Sequence, residues 1–409
     1  MTTEPRDRAL DDLDVAERHF NEESGTETLV LNLGPQHPST HGVLRLELEL
    51  DGEMVVRCEP HVGYLHTGIE KTCEFRTYHQ IVPFIDRMDY LNPWSEEFGY
   101  ILTTEALYDV EIPKRVQYIR VILAELSRIA SHLVWLGTSA LELNVSSMFM
   151  FCFRDREDIL DIFELVTGDR FFPRYFRVGG LMHEPSDDFP DRIHEFFETF
   201  RKHFKEYHGI LTKNLFWRMR FENVAQVTLD ECLDYGLSGP IIRACGEPYD
   251  VRKAFPYSSY EDFDFEIPTR QQGDAYARYL VRMDEIEQSM RIVEQALDHL
   301  PDGPVVTQDE RFNTGLSQHQ EGFYKMKKPH PHKGLFPPKG EAYVTIEGAR
   351  GEKGYWVVSD GSNKPIRVRM RSPSFGNVQA LPIMIEGSYL SDAIVAIAST
   401  DPVLGDVDR

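Results

Sequence analysis

The chain has 409 residues, of which 41% are hydrophobic and 27% are charged, the composition of an ordinary globular protein. At about 150 residues per domain, this length predicts roughly two or three domains or subdomains. Asp and Glu outnumber Lys and Arg by 67 to 44. The formal charge of −23 argues against nucleic-acid binding, because such a surface repels the phosphate backbone.

The five cysteines are widely spaced, and no CxxC pair occurs. This spacing argues against a disulfide framework, a zinc ribbon or an iron–sulfur cluster held by this chain alone. The nucleotide-binding signatures GxGxxG and GxxxxGKS/T are also missing from the sequence. We therefore expect that this chain by itself binds no metal, NAD or ATP.

Neither a membrane span nor a secretory signal is evident in the sequence. The longest apolar stretches, such as residues 133–143, are shorter than the roughly 20 residues that a membrane span needs. The first 14 residues lack the apolar core and the cleavage site of a signal peptide. We therefore expect the protein to remain in the cytoplasm.

The first 62 residues predict an arm followed by a small sheet. Residues 1–27 are polar and strongly charged, which is typical of a mobile or partner-bound arm. Residues 28–62 form a predicted N-terminal β subdomain, in which leucines alternate with charged residues over positions 44–50. Asp51-Gly52 predicts a tight turn into a return strand at residues 54–57.

Residues 63–300 are predicted to form a helix-bundle core. Apolar residues recur there at three- and four-residue spacing, as on the buried face of a helix. The predicted helices begin at Pro113 and run to Leu133, cover residues 159–166 before Gly168, cover residues 193–204, and extend from about Gly273 to His299.

The last part of the chain predicts a loop and a second small sheet. Residues 301–340 form a connecting loop whose basic run, residues 325–333, fits either a solvated loop or a docking site for an acidic partner. Residues 341–409 predict a C-terminal β subdomain and tail, with strands near residues 342–346, 354–359 and 365–370. The predicted fold class is α+β, a central helix bundle with small antiparallel sheets near both termini.

Three segments carry side chains suited to chemistry, and none identifies a function by itself. His37 and His41 are four residues apart, but Pro38 and Gly42 disfavour the helix that a zinc site of this spacing would need. A hydrogen-bonded turn and a functional site both remain open for this loop. In residues 85–92, IDRMDYLN, ion pairing between Arg87 and its acidic neighbours is the plain interpretation. Glu142, between two leucines, fits an exposed helix face as well as a buried acid.

Taken together, long segments of the chain resemble one known family. These segments are GPQHPSTHGVLRLELELDGE, PHVGYLHTGIEK, DRMDYLN, LSRIASHLVWLG, RACGEPYDVRKAFPYSSYEDFDF, GEAYVTIEGARGEKGYWVVSDGSNKPIRVRMRSPSF and DPVLGDVDR. They are similar to the 49-kDa-type subunit, or D subunit, of the respiratory NADH:quinone oxidoreductase, complex I. The resemblance covers residues 28–409.

That family is in turn similar to the large subunit of nickel–iron hydrogenases, which implies a hydrogenase-like fold. Hydrogenases hold nickel through an Arg-x-Cys-x-x-Cys motif and an Asp-Pro-Cys-x-x-Cys motif. Here the four cysteine positions are occupied by Asp89, Asn92, Val403 and Asp406. Because soft metals need thiolate ligands, we expect no nickel and no hydrogenase chemistry. The resemblance implies that the remaining cavity accepts a quinone.

The resemblance also implies roles for individual residues. Tyr90 and His41 match the tyrosine and histidine at the quinone headgroup, where a phenol donates a hydrogen bond and an imidazole supplies a proton. Glu142 stands where the family usually has Asp, and we expect it to pair with His41 and relay protons.

Further positions follow from the same resemblance. His37, Asp89, Val403 and Asp408 are expected to contact the quinone. Arg87 matches an arginine close to an iron–sulfur cluster of a neighbouring subunit.

Two departures from the family pattern leave the tuning of that cluster open. Phe172 stands where the family often has histidine, and Thr67 stands where many members have arginine.

The implied function is that of a subunit of the proton-translocating NADH:quinone oxidoreductase that forms the quinone headgroup site. Its implied partners are the iron–sulfur subunit beside the site, other peripheral-arm subunits and a membrane-arm subunit at the quinone entrance. We expect a peripheral position at the cytoplasmic side of the inner (plasma) membrane, with no activity of the lone chain. A complex fed by ferredoxin or another donor, and a non-catalytic hydrogenase-like scaffold, are the alternatives. The choice between ubiquinone and menaquinone stays open.

Overall fold

The computed structural model describes residues 16–21, 26–312 and 334–409. Residues 1–15 of the predicted arm and the basic run at residues 325–333 lie outside these ranges. Residues 16–21 belong to the segment predicted to be a mobile or partner-bound arm. They form a strand, because their backbone pairs with that of the next strand.

The N-terminal sheet consists of antiparallel strands in chain order. They are β1 (Ala16–Asn21), β2 (Thr26–Leu33), β3 (Arg45–Asp51) and β4 (Met54–His61). Leu46, Leu48 and Leu50 are buried on one face of β3, as the alternation predicts. Gly52 has a φ of +64°, a conformation that favours glycine, and it turns the chain into β4, which is longer than predicted.

The middle of the chain forms helices that pack around one long central helix. In chain order they are α1 (Ile69–Cys73), α2 (Tyr78–Ile85), α3 (Pro93–Tyr108), α4 (Lys114–Glu142), α5 (Ser146–Thr167), α6 (Phe189–Tyr207), α7 (Leu215–Phe221), α8 (Leu229–Asp234), α9 (Pro240–Ala244), α10 (Val251–Ala254) and α11 (Ala275–Asp298). The short ribbon of β5 (Phe176–Arg177) and β6 (Gly180–Leu181) lies between α5 and α6 in the sequence.

The helices predicted from apolar spacing are confirmed. α4 begins directly after Pro113, and its 29 residues pack against α5 and α11. α5 ends before Gly168, whose φ of +74° closes the helix as expected from a C-terminal glycine. No helix in the described ranges is both long and apolar enough to cross a membrane.

The C-terminal part of the chain forms a three-stranded antiparallel sheet followed by short helices. The strands are β7 (Gly340–Gly348), β8 (Gly351–Ser359) and β9 (Arg367–Arg371). The helices are α12 (Pro373–Gln379), α13 (Leu381–Ile385), α14 (Leu390–Thr400) and α15 (Leu404–Asp408). The mixed architecture of helices and small antiparallel sheets is the predicted α+β class.

Two apolar cores hold these parts together. One lies inside the helix bundle, and the other lies between the N-terminal sheet and the last helices of the chain. In the second core, Leu46 and Leu48 of β3 share a buried cluster with Leu381 of α13 and Ile397 of α14. The two predicted β subdomains therefore meet through a common core.

Candidate functional site

The loop with His37 and His41 forms a tight turn instead of an α-helix. Pro38–Thr40 make one short 3₁₀ turn, with His37 before it and His41 after it. The His37 Nδ1 atom accepts a hydrogen bond from the Ser39 amide at 3.2 Å, so this ring holds the turn. His41 has a φ of +53°, a left-handed backbone conformation that is uncommon for a residue other than glycine.

His41 is open to solvent on one side and faces dense protein on the other. Burial lowers the pKa of the imidazole, Asp401 raises it, and Arg350 lowers it again. The ring is therefore neutral near pH 7. The nearest charged partners of His41 come from the C-terminal third of the chain, which the sequence spacing did not reveal.

Glu142, the last residue of α4, does not make the expected pair with His41. Burial raises the pKa of Glu142 to about 7, and a hydrogen bond from the Ser39 side chain counteracts part of that rise. Its Oε2 atom has no hydrogen-bond partner within the described residues. The turn thus brings Ser39 to the carboxyl group, and the predicted His41–Glu142 pair is wrong for this conformation.

The Asp89 position is part of a buried ion pair. Arg350, in the turn between β7 and β8, donates to both carboxylate oxygens of Asp89 at 3.1 Å and to the Ser131 hydroxyl at 2.6 Å. The other terminal nitrogen of Arg350 lies 3.2 Å from Asp401. Burial raises the pKa of Asp89, and Arg350 opposes the rise.

Asp406, at another of the former cysteine positions, pairs with Lys353 of β8. Lys353 contacts Asp406 and also lies 3.0 Å from Glu96 of α3, which accepts a hydrogen bond from Tyr355. Burial raises the pKa of Asp406, but Lys353 and the nearby serines lower it further than burial raises it. For Glu96 burial prevails and raises the pKa to about 8. Arg350 and Lys353 thus neutralise the carboxylates that replace two cysteines.

Val403 and Asp408 lie at either end of the short helix α15. Val403 is 2% exposed and precedes the helix. The Asp408 carboxylate accepts hydrogen bonds from the amides of Gly63 at 2.7 Å and Leu65 at 2.6 Å. Because both oxygens of Asp408 accept hydrogen bonds from backbone amides, this side chain fastens the loop before α1. Its expected contact with a quinone stays a prediction.

Tyr90 lies between α2 and α3, beside the Arg350 ion pairs. Burial raises the pKa of its phenol, Asp89 and Asp401 raise it further, and Arg350 opposes them. The hydroxyl therefore stays protonated at neutral pH. Since Arg350 and Asp401 act on both Tyr90 and His41, the structure brings these two predicted residues around one ion pair.

A close approach of backbone holds Tyr90 in place. A Cβ atom at Gly405 of α15 would lie 2.5 Å from the Met88 carbonyl oxygen and 3.3 Å from Tyr90 Cε1. Only glycine fits there. A cavity of about 10 Å³ beside Tyr90, lined also by Ser127 and Arg156, is the size of one water molecule and too small for a quinone ring.

Arg87 and Phe172 meet at the surface of the molecule. The exposed guanidinium of Arg87 lies 4.5 Å from the centre of the Phe172 ring, a cation–π contact. Arg87 has no ion pair within the described residues, so the interpretation of this segment as local ion pairing is wrong. Asp89 turns to Arg350, and Asp86 turns inward.

Asp86 faces Glu97 of α3 in the interior behind Arg87. Both side chains are completely buried, and neither Asp86 oxygen has a hydrogen-bond partner within the described residues. The neighbouring Glu97 carboxyl group raises the pKa of Asp86 further than burial alone. Glu97 also accepts from the Tyr175 and Phe176 amides at 3.0 Å each. Burial raises the pKa of Asp86 well above its usual value and that of Glu97 to about 7.

Comparison with known proteins gives the site its family. The family model described as "Respiratory-chain NADH dehydrogenase, 49 Kd subunit" matches residues 142–409. The chain belongs to this family. It is 52% identical over 393 residues to the NADH-quinone oxidoreductase D subunit of Protochlamydia amoebophila, covering 95% of the chain and 97% of that relative.

Two further relatives give the same result over nearly the whole chain. An NADH-quinone oxidoreductase D subunit of Koribacter versatilis is 49% identical over 390 residues, 93% of the chain and 96% of the relative. The NADH-quinone oxidoreductase D subunit of Geotalea uraniireducens is 44% identical over 397 residues, 94% of the chain and 100% of the relative. The resemblance stated from the sequence motifs is confirmed.

In this member of the 49-kDa subunit family, the sequence did not predict which charged side chains contact the predicted site residues. Arg350 and Lys353 lie in the quoted segment GARGEKGYW, and Glu96 and Glu97 follow DRMDYLN by a few positions. A charged residue inside an otherwise apolar or β-forming segment was the available signal. Its partners could not be assigned, because they lie between 51 and 261 positions away along the chain.

Proposed function

We propose that this chain, as a subunit of a respiratory NADH:quinone oxidoreductase, supplies the hydrogen-bond and proton donors that act on the quinone headgroup. The observation that carries the proposal is the convergence of Tyr90 and His41 on the Arg350–Asp401 ion pair. The relatives that match along almost the whole chain are D subunits of NADH-quinone oxidoreductases.

In this proposal Tyr90 donates a hydrogen bond to one quinone oxygen. Its raised pKa keeps the proton on the phenol, so the hydroxyl remains a donor throughout turnover. The Gly405 backbone lies close to the Tyr90 ring, so a larger residue at position 405 would press against the ring.

His41 then supplies a proton from its neutral imidazole. One ring nitrogen gives its proton to the reduced oxygen while the other accepts a replacement, so the ring need not stay charged. Asp401 favours the transient imidazolium, and Arg350 opposes it, which keeps the proton mobile.

The electrons are proposed to come from an iron–sulfur cluster in a neighbouring subunit. The five cysteines of this chain are all free, and in the described residues no group of three His, Cys, Asp or Glu side chains could hold a metal ion. Arg87 is the exposed cation that would face such a cluster and favour its reduced form.

The quinone site is proposed to be completed by other subunits, which also link it to the membrane and to proton translocation. The cavity beside Tyr90 admits only a water molecule, which supports a quinone site whose walls come partly from other subunits. This accounts for the expected partners beside the site and for inactivity of the lone chain.

The proposal is tested with Tyr90→Phe and His41→Asn in the assembled complex. Asn is chosen at position 41 because it tolerates the positive φ. Losing one donor costs about 1–3 kcal/mol, so we expect NADH:quinone reductase activity to fall roughly tenfold to a hundredfold. NADH oxidation by ferricyanide should persist, because the upstream path lies in other subunits.

Tyr389→Phe is the matched control, since Tyr389 is 56% exposed and lies away from the ion pair. It should leave both activities unchanged. If both activities fall together in Tyr90→Phe, the residue supports assembly instead of the quinone. If neither falls, the quinone site lies elsewhere.

A further inference from the structure

Two of the five cysteines face each other at the edge of the second core. Cys232 lies in α8, and Cys245 directly follows α9; their sulfur atoms are 3.5 Å apart. Cys232 is buried, whereas Cys245 is partly accessible to solvent. Cys58 and Cys73 differ from this pair, since each is buried alone and burial raises each pKa to about 12.

A buried arginine lies beside the sulfur pair. Arg278 of α11 is 0% exposed and donates to the carbonyl oxygens of Gly273 and Ala225 and to the Ser399 hydroxyl, at 2.7–2.9 Å. It makes no ion pair with a carboxylate in the described part of the chain. Burial lowers the pKa of Arg278 to about 10, and the charge on Cys245 is the main influence that opposes this lowering.

This environment lowers the pKa of the Cys245 thiol, whose sulfur also lies 3.4 Å from the carbonyl oxygens of Val227 and Ile241, to which the protonated thiol donates. The hydrogen bond from Cys232 lowers the pKa of the Cys245 thiol, burial opposes that effect, Arg278 adds to it, and Glu231 acts against it. A thiol with a lowered pKa, a cation beside it and access to solvent is the reactive kind. For Cys232 the contact with Cys245 and burial both raise the pKa, so Cys232 holds its proton more tightly than Cys245 does.

We propose that Cys232 and Cys245 form a dithiol site that reacts with low-molecular-weight disulfides and closes to an intramolecular disulfide. The Cys245 thiolate attacks one sulfur of the disulfide, forms a mixed disulfide and releases one thiolate, which takes up a proton. Cys232 then loses its proton to solvent and attacks the Cys245 sulfur, which breaks the mixed disulfide and releases the second thiol. The protein loses two hydrogens, and the small disulfide is reduced to two thiols.

The geometry permits this closure. The sulfur atoms must approach from 3.5 Å to roughly 2.05 Å, the length of a disulfide bond. α8 has six residues, and Leu233 within it and Tyr235 after it are 61% and 42% exposed, so part of this short helix faces solvent, while Cys232 belongs to the second core. Only Cys245 must be reached by the reagent, because the second attack occurs inside the molecule.

Oxidised glutathione and peptide mapping test the proposal on the reduced full-length chain. Trypsin cleaves after Arg220, Arg243 and Arg252, which puts the two cysteines on separate peptides, residues 221–243 and 244–252. We expect these peptides to be recovered joined by a disulfide. Cys152→Ser is the matched control, because Cys152 is buried and distant from this pair in sequence, and the joined peptides should persist in it.

Single variants separate the two steps. Cys232→Ser should accumulate glutathione on Cys245, and Cys245→Ser should leave Cys232 unmodified. Alkylation of Cys245 by iodoacetamide in Cys232→Ala should lose part of its low-pH reactivity, since the hydrogen bond is gone. Recovery of the wild-type peptides as separate free thiols, or with glutathione retained on Cys245, would overturn the proposal.

Discussion

Buried carboxyl groups occur in two regions of the molecule, and these regions differ in the number of arginines that face them. In the centre of the bundle, Glu125 lies within 3.2 Å of both Arg252 and Arg128 and accepts further hydrogen bonds from Tyr260 and Ser289. Burial raises the pKa of Glu125, but the two arginines lower it to about 2.

At the edge of the site, burial of carboxyl groups has the opposite result. Asp86 and Glu97 face each other, and Glu142 has one oxygen without a partner in the described chain. Burial raises the pKa of Glu97 and of Glu142 to about 7. Burial alone therefore does not determine whether a carboxyl group is ionised at neutral pH. The arginines in contact with the carboxyl group determine it. The central carboxylates hold the fold, and those at the edge can exchange protons near neutral pH.

We expect the largest effect on the free energy of unfolding when one of the central arginines is replaced. Arg252→Met removes the guanidinium that contacts Glu125 and Asp250, so each of these two buried carboxylates loses one of its arginine partners. We expect a loss of about 3–5 kcal/mol in the free energy of unfolding, measured by urea denaturation.

Arg201→Met is the control for that loss, because it breaks the exposed pair with Glu294. Its cost should be at most about 1 kcal/mol. Equal losses in the two variants would mean that the central pairs add no more than surface pairs.

A second prediction concerns the pH dependence of stability caused by Glu97. A carboxyl group whose pKa is raised on folding binds its proton more tightly in the folded state, so its contribution falls as the pH rises from about 4.5 through about 7. Glu97→Gln cannot ionise, and its amide can donate to Asp86. The difference in unfolding free energy between about pH 4.5 and about pH 8 should shrink by roughly 2–3 kcal/mol.

Glu287→Gln, on the exposed face of α11, serves as the matched control, and its pH profile should equal that of the wild type. An unchanged profile in Glu97→Gln would show that the proton resides elsewhere.

Glu142 gives a smaller effect, because part of its side chain is exposed. Infrared difference spectra between about pH 6 and about pH 8 should contain the loss of a protonated carboxyl band, and Glu142→Gln should remove part of it. Glu125→Gln should leave the band intact, since Glu125 stays ionised across this range. Loss of the same band in both variants would contradict the division into two regions.

The smallest predicted effect is at the surface. Phe172→Leu removes the ring under Arg87, and an exposed cation–π contact contributes about 0.5–1 kcal/mol. A double-mutant cycle with Arg87→Gln isolates this coupling from the loss of packing. A coupling energy near zero would show that the Phe172 ring does not stabilise the position of Arg87.

The sequence was sufficient for features that depend on nearby residues. Leucine alternation located β3, and apolar spacing with Pro113 and Gly168 located α4 and the end of α5. These signals are local, because periodic burial and chain-terminating residues act within a few positions.

The charged contacts of the site could not be predicted in the same way. The Arg350–Asp89 pair joins residues 261 positions apart, and Asp86 carries no sequence sign that separates an inward carboxyl from a surface one. The family resemblance predicted Tyr90 and His41 as site residues. It did not predict that the turn before His41 places the Ser39 side chain beside the Glu142 carboxyl group. Side-chain pairing depends on how distant elements dock, and local patterns do not encode that.

The shared core between β3 and α13–α14 has a consequence for synthesis on the ribosome. The helices that cover the buried face of β3 lie more than 300 positions later in the sequence. The amide of Gly63 likewise donates to a carboxylate 345 residues downstream. Until those helices emerge, an apolar sheet surface stays uncovered in the nascent chain. During most of translation this apolar surface is therefore uncovered and prone to aggregation. We expect chaperones that bind exposed apolar strands to bind the nascent chain at this surface.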